Sequence, residues 1–196
     1  MSAARDEILE ALRAARPPAV PEPVRIEPPS MPGDPIARLR ERVDEAGGVL
    51  QRAPARDWVA QIDWPVDLPR VEHLHSALPD LASRGVGLEP ATDRELERLD
   101  VCVLRAEFAV VENGAAWHVP SHPRERVAAL LAQHLVVVVD ETAIVPSLHQ
   151  AYDRIDLERI GFGWFLCGPS KTADIEQSLV LGAHGPRTMS LVLIGS

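Results

Sequence analysis

Cysteine is scarce in this sequence. Cys102 and Cys167 are the only two, and each lies inside an apolar, strand-like segment. Two thiols cannot supply the four ligands of an iron–sulfur cluster, and their surroundings predict buried free thiols rather than a disulfide. Positive charge is also in short supply. Twenty Lys and Arg face 29 Asp and Glu, and the net charge of −9 argues against nucleic acid as a partner. No apolar run reaches membrane-spanning length, and the N-terminus lacks the hydrophobic core of a secretory signal, so a cytoplasmic location is expected. Several catalytic signatures are missing as well. There is no Gly-x-Ser-x-Gly nucleophile turn. Gly161-Phe-Gly163 has Leu166 where a dinucleotide loop needs its third glycine. Gly163 and Gly168 have Walker spacing, but Pro169 stands where lysine is required. No cofactor is therefore expected.

What is present divides the chain into three stretches. Residues 1–15 hold an Ala, Leu, Glu and Arg-rich pattern with Ile8 and Leu12 four apart, which predicts a short amphipathic helix. Residues 16–35 hold eight of the 18 prolines and read as an extended linker. From Ile36 the amphipathic patterning restarts and runs through residues 36–196. A helix too short to bury a core alone needs a surface to dock on, whether this domain, a second copy or another protein; a mobile tail is the alternative.

Within residues 36–196, helical and strand-like patterns alternate. Ile36, Leu39 and Val43 mark a helix that stops at Gly47-Gly48. A helical pattern at Thr92–Leu99 precedes a strand at Val101–Leu104. Asn113-Gly114 is a strong turn signal between Phe108–Val111 and Ala115–Val119. A helix at Arg124–Leu131 leads to the apolar run Leu135–Val139, and a further helix covers about 147–158. This alternation predicts an α/β fold, three-layer α/β/α with a mainly parallel sheet, in which ligands gather at the carboxyl ends of the strands.

The most informative stretch is Gly168-Pro-Ser-Lys-Thr-Ala-Asp-Ile-Glu176, running on to Gly182-Ala-His-Gly-Pro-Arg187 and an apolar tail. It reads as strand, tight turn, helix, Gly-rich turn, strand. Ser170 or Thr172 would cap the helix, with Asp174 and Glu176 in its first turn. A helix opening after a strand aims free N–H groups at the strand's carboxyl edge, a setting that suits anions. Lys171 is the only lysine of the chain and sits beside that turn. Arg187 can pair with a carboxylate or phosphate, and His184 can reach a bound anion or cap local carbonyls. The same residues also describe an ordinary capped turn between strands. Glu112, beside the Asn113-Gly114 turn, is the second candidate, as a reactive carboxylate or a solvated hairpin residue. His73 with His75, and His118 with His122, have no third ligand at convincing spacing, so no metal site is assigned.

The segment Gly168–Pro186 resembles the signature of the LUD-domain family, specifically its lactate utilization protein C group. Weaker likeness extends from about Asp34 to the C-terminus. A second stretch, Ala106–Val119, is similar to the family's other loop, where Glu112-Asn113-Gly114-Ala115 replaces an acidic residue followed by Thr-Gly-Thr. The resemblance implies the fold group of ribose-5-phosphate isomerase, CoA transferase and 5-formyltetrahydrofolate cyclo-ligase. It also implies a non-redox role in oxidising L-lactate to pyruvate beside partner proteins that carry iron–sulfur clusters. The competing reading is a free-standing enzyme or binding protein for a phosphate, CoA or folate-type anion. On either reading the expected pocket joins Glu112, Asn113 and Gly114 to Gly168, Ser170, Lys171, Thr172, Asp174, His184 and Arg187.

Overall fold

The structure, a computed structural model, describes all residues except 1–2, 19, 22, 25, 27–30, 83–84, 86–87, 89–91, 176–177 and 196; side chains at 3, 82, 173–175, 178–179 and 181 also lie outside the description. The first half of the chain forms α1 (Ala3–Ala14), α2 (Pro35–Glu45), β1 (Val49–Pro54), α3 (Trp58–Gln61), a 3-10 turn (Leu68–Arg70) and β2 (Leu74–Ser76). There follow α4 (Pro79–Ala82), α5 (Asp93–Leu96), β3 (Val101–Arg105), β4 (Phe108–Val110), β5 (Ala116–His118) and α6 (Pro123–Leu131). The remainder is β6 (His134–Asp140), β7 (Ile144–Val145), α7 (Leu148–Tyr152), α8 (Leu157–Ile160), β8 (Trp164–Leu166), β9 (Lys171–Ile175), β10 (Ser178–Leu181) and β11 (Thr188–Gly195).

Five strands make a wholly parallel sheet in the order β1-β11-β6-β3-β2. Strand alternation splits its side chains between two cores. Leu135, Val137 and Val139 of β6 face α2 and α6, together with Leu39, Val43, Ala128 and Leu191. Val136 and Val138 face the other way, onto Trp58, Ile62, Leu68 and Leu81. Burial on both faces is why β6 reads as a continuous apolar run, and it makes the domain three layers, α/β/α. Helix α2 is well specified locally. Asp34 accepts from Ile36 N at 2.9 Å, Pro35 sits at the first helical position, and Gly47 ends the helix at φ +81°.

A second sheet of four short strands, in the order β7-β4-β5-β8, leans on the first. Ala109 and Ala116 turn towards the main core, whereas Phe108, Val110, Trp117 and Val145 pack with Ala151 of α7. The predicted Asn113-Gly114 hairpin is its centre: β4 and β5 are antiparallel, with Phe108 opposite Trp117. Gly163, from the incomplete dinucleotide motif, has a packing reason. A Cβ there would lie 2.3 Å from the Trp117 ring.

Several expectations are corrected. No helix begins at Thr172. The segment is β9, paired antiparallel with β10, with Lys171 opposite Leu181 and Thr172 opposite Val180. The hairpin is closed at its base by Gly182 N–H donating to Ser170 O at 2.9 Å, so cross-strand pairing satisfies the backbone groups a helix would otherwise have used. Gly182, at φ +74°, therefore ends a hairpin rather than a helix. The helix expected at Thr92–Leu99 shortens to α5, held by a capping box between Thr92 and Glu95. The one expected at 147–158 divides into α7 and α8, each with its own N-cap, Ser147 and Asp156. Cys102 is buried as predicted, but Cys167, one residue past β8, is exposed; both thiols are free. The apolar stripe of α1 is left uncovered by the described residues, with Ile8 and Leu12 60% and 64% exposed.

Candidate functional site

The signature segment lies at the amino edge of the parallel sheet, not at the carboxyl edge where a strand–turn–helix would have put it. Arg187 N donates to Gln133 O, and Gln133 N to Leu99 O, which links the residues just before β11, β6 and β3. Ser170 N donates to Pro186 O at 2.9 Å, and the Ser170 side chain packs on Gly185, so Ser170 and the Gly182–Pro186 turn form one unit. The Arg187 stem lies against Gly182, while Lys171 lies over Gly47 at the end of α2. Lys171, His184 and Arg187 are exposed, and Thr172 is half-buried. Asp174 falls within β9, its side chain outside the described set. Nearby His134 bonds Thr188 Oγ1 at 2.8 Å; burial holds its pKa below the ordinary value, the Arg187 charge adds to this and Asp100 opposes it. The result is an exposed, cationic rim around Ser170, chemically suited to an anion.

Two glycines bring the second predicted loop beside the first. Gly114, at φ +73°, lies against Arg42 and Val43 of α2, and Gly168, at φ +67°, lies against Ala46 one turn further on. Asn113 closes its own turn by accepting from Ala115 N at 3.1 Å, and its carbonyl accepts from the Cys167 thiol at 3.2 Å. Glu112 faces elsewhere. Its carboxylate accepts from Leu148 N at 2.7 Å, capping α7. Asn113, Gly114, Gly168, Ser170, Lys171 and the Gly182–Arg187 turn are thus one neighbourhood, with Glu112 engaged at its margin.

A polar cluster that spacing did not reveal occupies the opposite edge of the sheet. Glu125, on α6, is 1% exposed, and its oxygens lie 3.9 Å from His75 Nε2 and 3.5 Å from His118 Nε2. Ser121 N donates to it at 2.6 Å. Burial alone would raise the Glu125 pKa, but the two imidazoles and the Ser121 N–H outweigh it and hold the carboxyl below its usual range. Cys102, beside His75 in the neighbouring strand, is pushed well up by burial and by Glu125, so it is an inert thiol. The fold joins one histidine from each sequence pair, not the members of either. One local signal was available: Glu125 shares the buried face of α6 with Ala128 and Ala129, an acid on an apolar stripe. Among the described residues, no group of three or more His, Cys, Asp or Glu is placed to hold a metal ion.

A parallel α/β/α sandwich with a subsidiary sheet, and a glycine-bounded loop pair braced on one helix, is the class of domain defined here. The sequence model of the LUD domain matches residues 76–194, and the chain belongs to that family. It is 32% identical over 113 residues to lactate utilization protein C of Exiguobacterium sp., covering 54% of this chain and 49% of that protein. Against lactate utilization protein C of Bacillus subtilis the identity is 31% over 108 residues, 52% of this chain and 45% of the relative. The chain thus spans about half the length of these curated relatives. Its fold is similar to the crystal structure of a DUF162 family protein from Deinococcus radiodurans, with a TM-score of 0.60 at 16% identity, covering 82% of this chain and 96% of that one. Among the described residues, no helix is long and apolar enough to cross a membrane.

Proposed function

We propose that this chain is a non-redox component of a cytoplasmic L-lactate oxidation system and acts with partner proteins that carry iron–sulfur clusters. The observation that carries this reading is the match to the LUD domain across residues 76–194, together with relatives about 30% identical that are named for lactate utilization. Oxidising lactate to pyruvate releases two electrons and two protons, so an electron acceptor is required. The two cysteines of this sequence fall short of a four-ligand cluster, which supports placing the electron-carrying part on partners. The substrate-facing part is the amino-edge rim of Ser170, Lys171, His184 and Arg187, with the Asn113-Gly114 turn beside it. Residues 36–196 are the LUD-type domain, and residues 1–35 are an arm whose exposed Ile8 and Leu12 suit a partner or a second copy.

A second reading is favoured by the exposed cations at that rim: a free-standing enzyme or binding protein for a phosphate, CoA or folate-type anion. Deletion of the gene and complementation on L-lactate as sole carbon source separates the two. The wild-type chain is expected to restore growth and to co-purify a cysteine-rich iron–sulfur protein, while a Lys171→Gln, Arg187→Gln double variant folds but fails to complement. Normal growth of the deletion strain, or turnover of a phosphorylated or CoA substrate by the isolated chain, would favour the second reading.

A further inference from the structure

We propose that α1 of one copy packs along the outer face of α6 of a second copy, and the reverse, so that the chain dimerises by exchanging its arms. Helix α6 is apolar on two sides. Its inner face holds Ala128 and Ala129 beside Glu125, and Val127, Leu130 and Leu131 form a second stripe on the opposite side. Spacings of three and four place those three on one face, yet they are 40%, 49% and 37% exposed. The stripe continues onto exposed Phe162 through Arg126, whose guanidinium lies 4.5 Å from the ring centroid. Single surface leucines are ordinary, but a helix that is apolar all round is stable when both sides are covered, and a contiguous stripe marks a docking face.

The same chain carries a helix of matching kind. Ile8 and Leu12 of α1 are four apart, with Ala4 and Ala11 on the same face, and both large side chains are exposed. Alanines beside two large side chains let helices approach closely, and the Val127 and Leu130–Leu131 ridge is one that such a groove accepts. Residues 3–15 hold three acids and two arginines, so Arg124 and Arg126 beside the stripe meet no surplus of like charge.

The tether favours a second copy over the arm's own domain. Met31 packs against the core that also holds Ala128 and Ala129, so the tether leaves the body on the same layer as α6. Between Ala14 and Met31 the sequence holds six prolines, the composition of a semi-rigid spacer. As polyproline-like chain of about 3.1 Å per residue, those roughly 16 residues would span about 50 Å. A domain of this size has a radius of gyration of about 15 Å and is about 40 Å across. A stiff tether of that length carries α1 past its own α6 and onto a neighbour's. Exposed Val20, Val24 and Ile26 accord with a tether that stands off the body. Reciprocal exchange doubles the contact, and swapping an element between copies is a low-cost route to dimers. Leu130 O lies 3.7 Å from the Cβ position of Gly185, so the exchanged arm borders the signature turn. The contact is independent of which ligand the rim at that turn takes.

Sedimentation velocity of the full chain over a range of concentrations reads the assembly directly. The wild type is expected to pass from monomer to dimer as concentration rises. Leu12→Asp in the arm and Leu130→Asp on α6 lie at exposed positions, so each is expected to keep the wild-type thermal melt and to lose the dimer. Val127→Asp, one turn before Leu130, is expected to behave as Leu130→Asp does. Mixing the Leu12→Asp and Leu130→Asp chains separates the geometries. A mixed pair retains one sound arm on one sound α6, so a heterodimer is expected to reappear, weaker than the wild type. The proposal is overturned by a wild type that stays monomeric, by a dimer that survives either substitution, or by mixing that restores nothing, as an α6-to-α6 contact would give. A monomeric wild type whose arm instead retains an iron–sulfur protein would assign α1 to that partner and overturn it as well.

Discussion

Gly168→Ala tests whether the signature turn is held by its seat on α2. The residue has φ +67°, and a Cβ there would stand 2.4 Å from the carbonyl oxygen of Ala46 and 3.1 Å from its carbonyl carbon. Forcing alanine into the left-handed region costs roughly 1–2 kcal/mol. The contact is with backbone, which cannot rotate aside as a side chain can, and overpacking of this kind adds about 1–3 kcal/mol. The total is about 2–5 kcal/mol; for a domain of this size each kcal/mol moves Tm by about 2–4 °C, so a fall of roughly 4–20 °C is expected. Gly33→Ala is the reference. Gly33 also has a positive φ, +95°, but nothing lies within 4 Å of its Cβ position, so only the backbone cost applies. Circular dichroism melts and urea titrations of both variants measure the difference. If Gly168→Ala is no more destabilising than Gly33→Ala, the turn is not seated on Ala46 and the reasoning fails.

Glu112→Ala removes the acceptor for Leu148 N and should cost about 1 kcal/mol, the usual value of a lost helix cap. Glu112→Gln keeps an acceptor and should cost less, so urea midpoints ranked wild type, Gln, Ala support the capping role, and equal midpoints refute it. Glu125 governs the acid limb of stability. Its folded pKa lies below the ordinary 4.5, so its contribution is fully present above that value and is lost as pH falls through the folded pKa. Unfolding free energy should therefore decline below about pH 4.5 in the wild type. Glu125→Gln should be less stable at pH 7 and flatter in acid; an unchanged acid slope would contradict the assignment.

Much of the fold was legible because its signals are local. The run Leu135–Val139 could only be a strand buried on both faces, Asn113-Gly114 could only be a turn, and Ile36, Leu39 and Val43 before Gly47-Gly48 announced a helix, although its cap Asp34 and first residue Pro35 read as linker. Lys171–Ile175 misled because Ser170 and Thr172 with Asp174 suit a helix cap, yet hydroxyls and a carboxylate near a proline suit a strand's entry as well. What decided between them was the partner, Ser178–Leu181, and the Gly182–Ser170 bond that closes the pair. Strand pairing is a tertiary fact that no single window contains. The candidate residues of the signature are neighbours largely because they are close in sequence. His75, His118 and Glu125 are neighbours only because β2, β5 and α6 meet, and His75 and His118 are separated by an entire strand–hairpin unit.

The order of strands in the main sheet has a kinetic consequence. Among the described residues, β1 is an edge strand whose only strand partner in that sheet is β11, so Val49 must await Ser190, roughly 140 residues later in the chain. β6 likewise lacks one of its two neighbours until β11 arrives. In the interval its segment, His134-Leu-Val-Val-Val-Val-Asp140, offers an open edge of β-branched residues with charge only at its margins, the kind of sequence that pairs with copies of itself. Long-range parallel pairing is slow, since loop closure must precede any gain in contacts. Refolding yield should consequently fall as protein concentration rises, even where the finished domain is stable. Asp140, which bounds that run and binds Thr142 through its carboxylate, then acts as a gatekeeper before the sheet is complete.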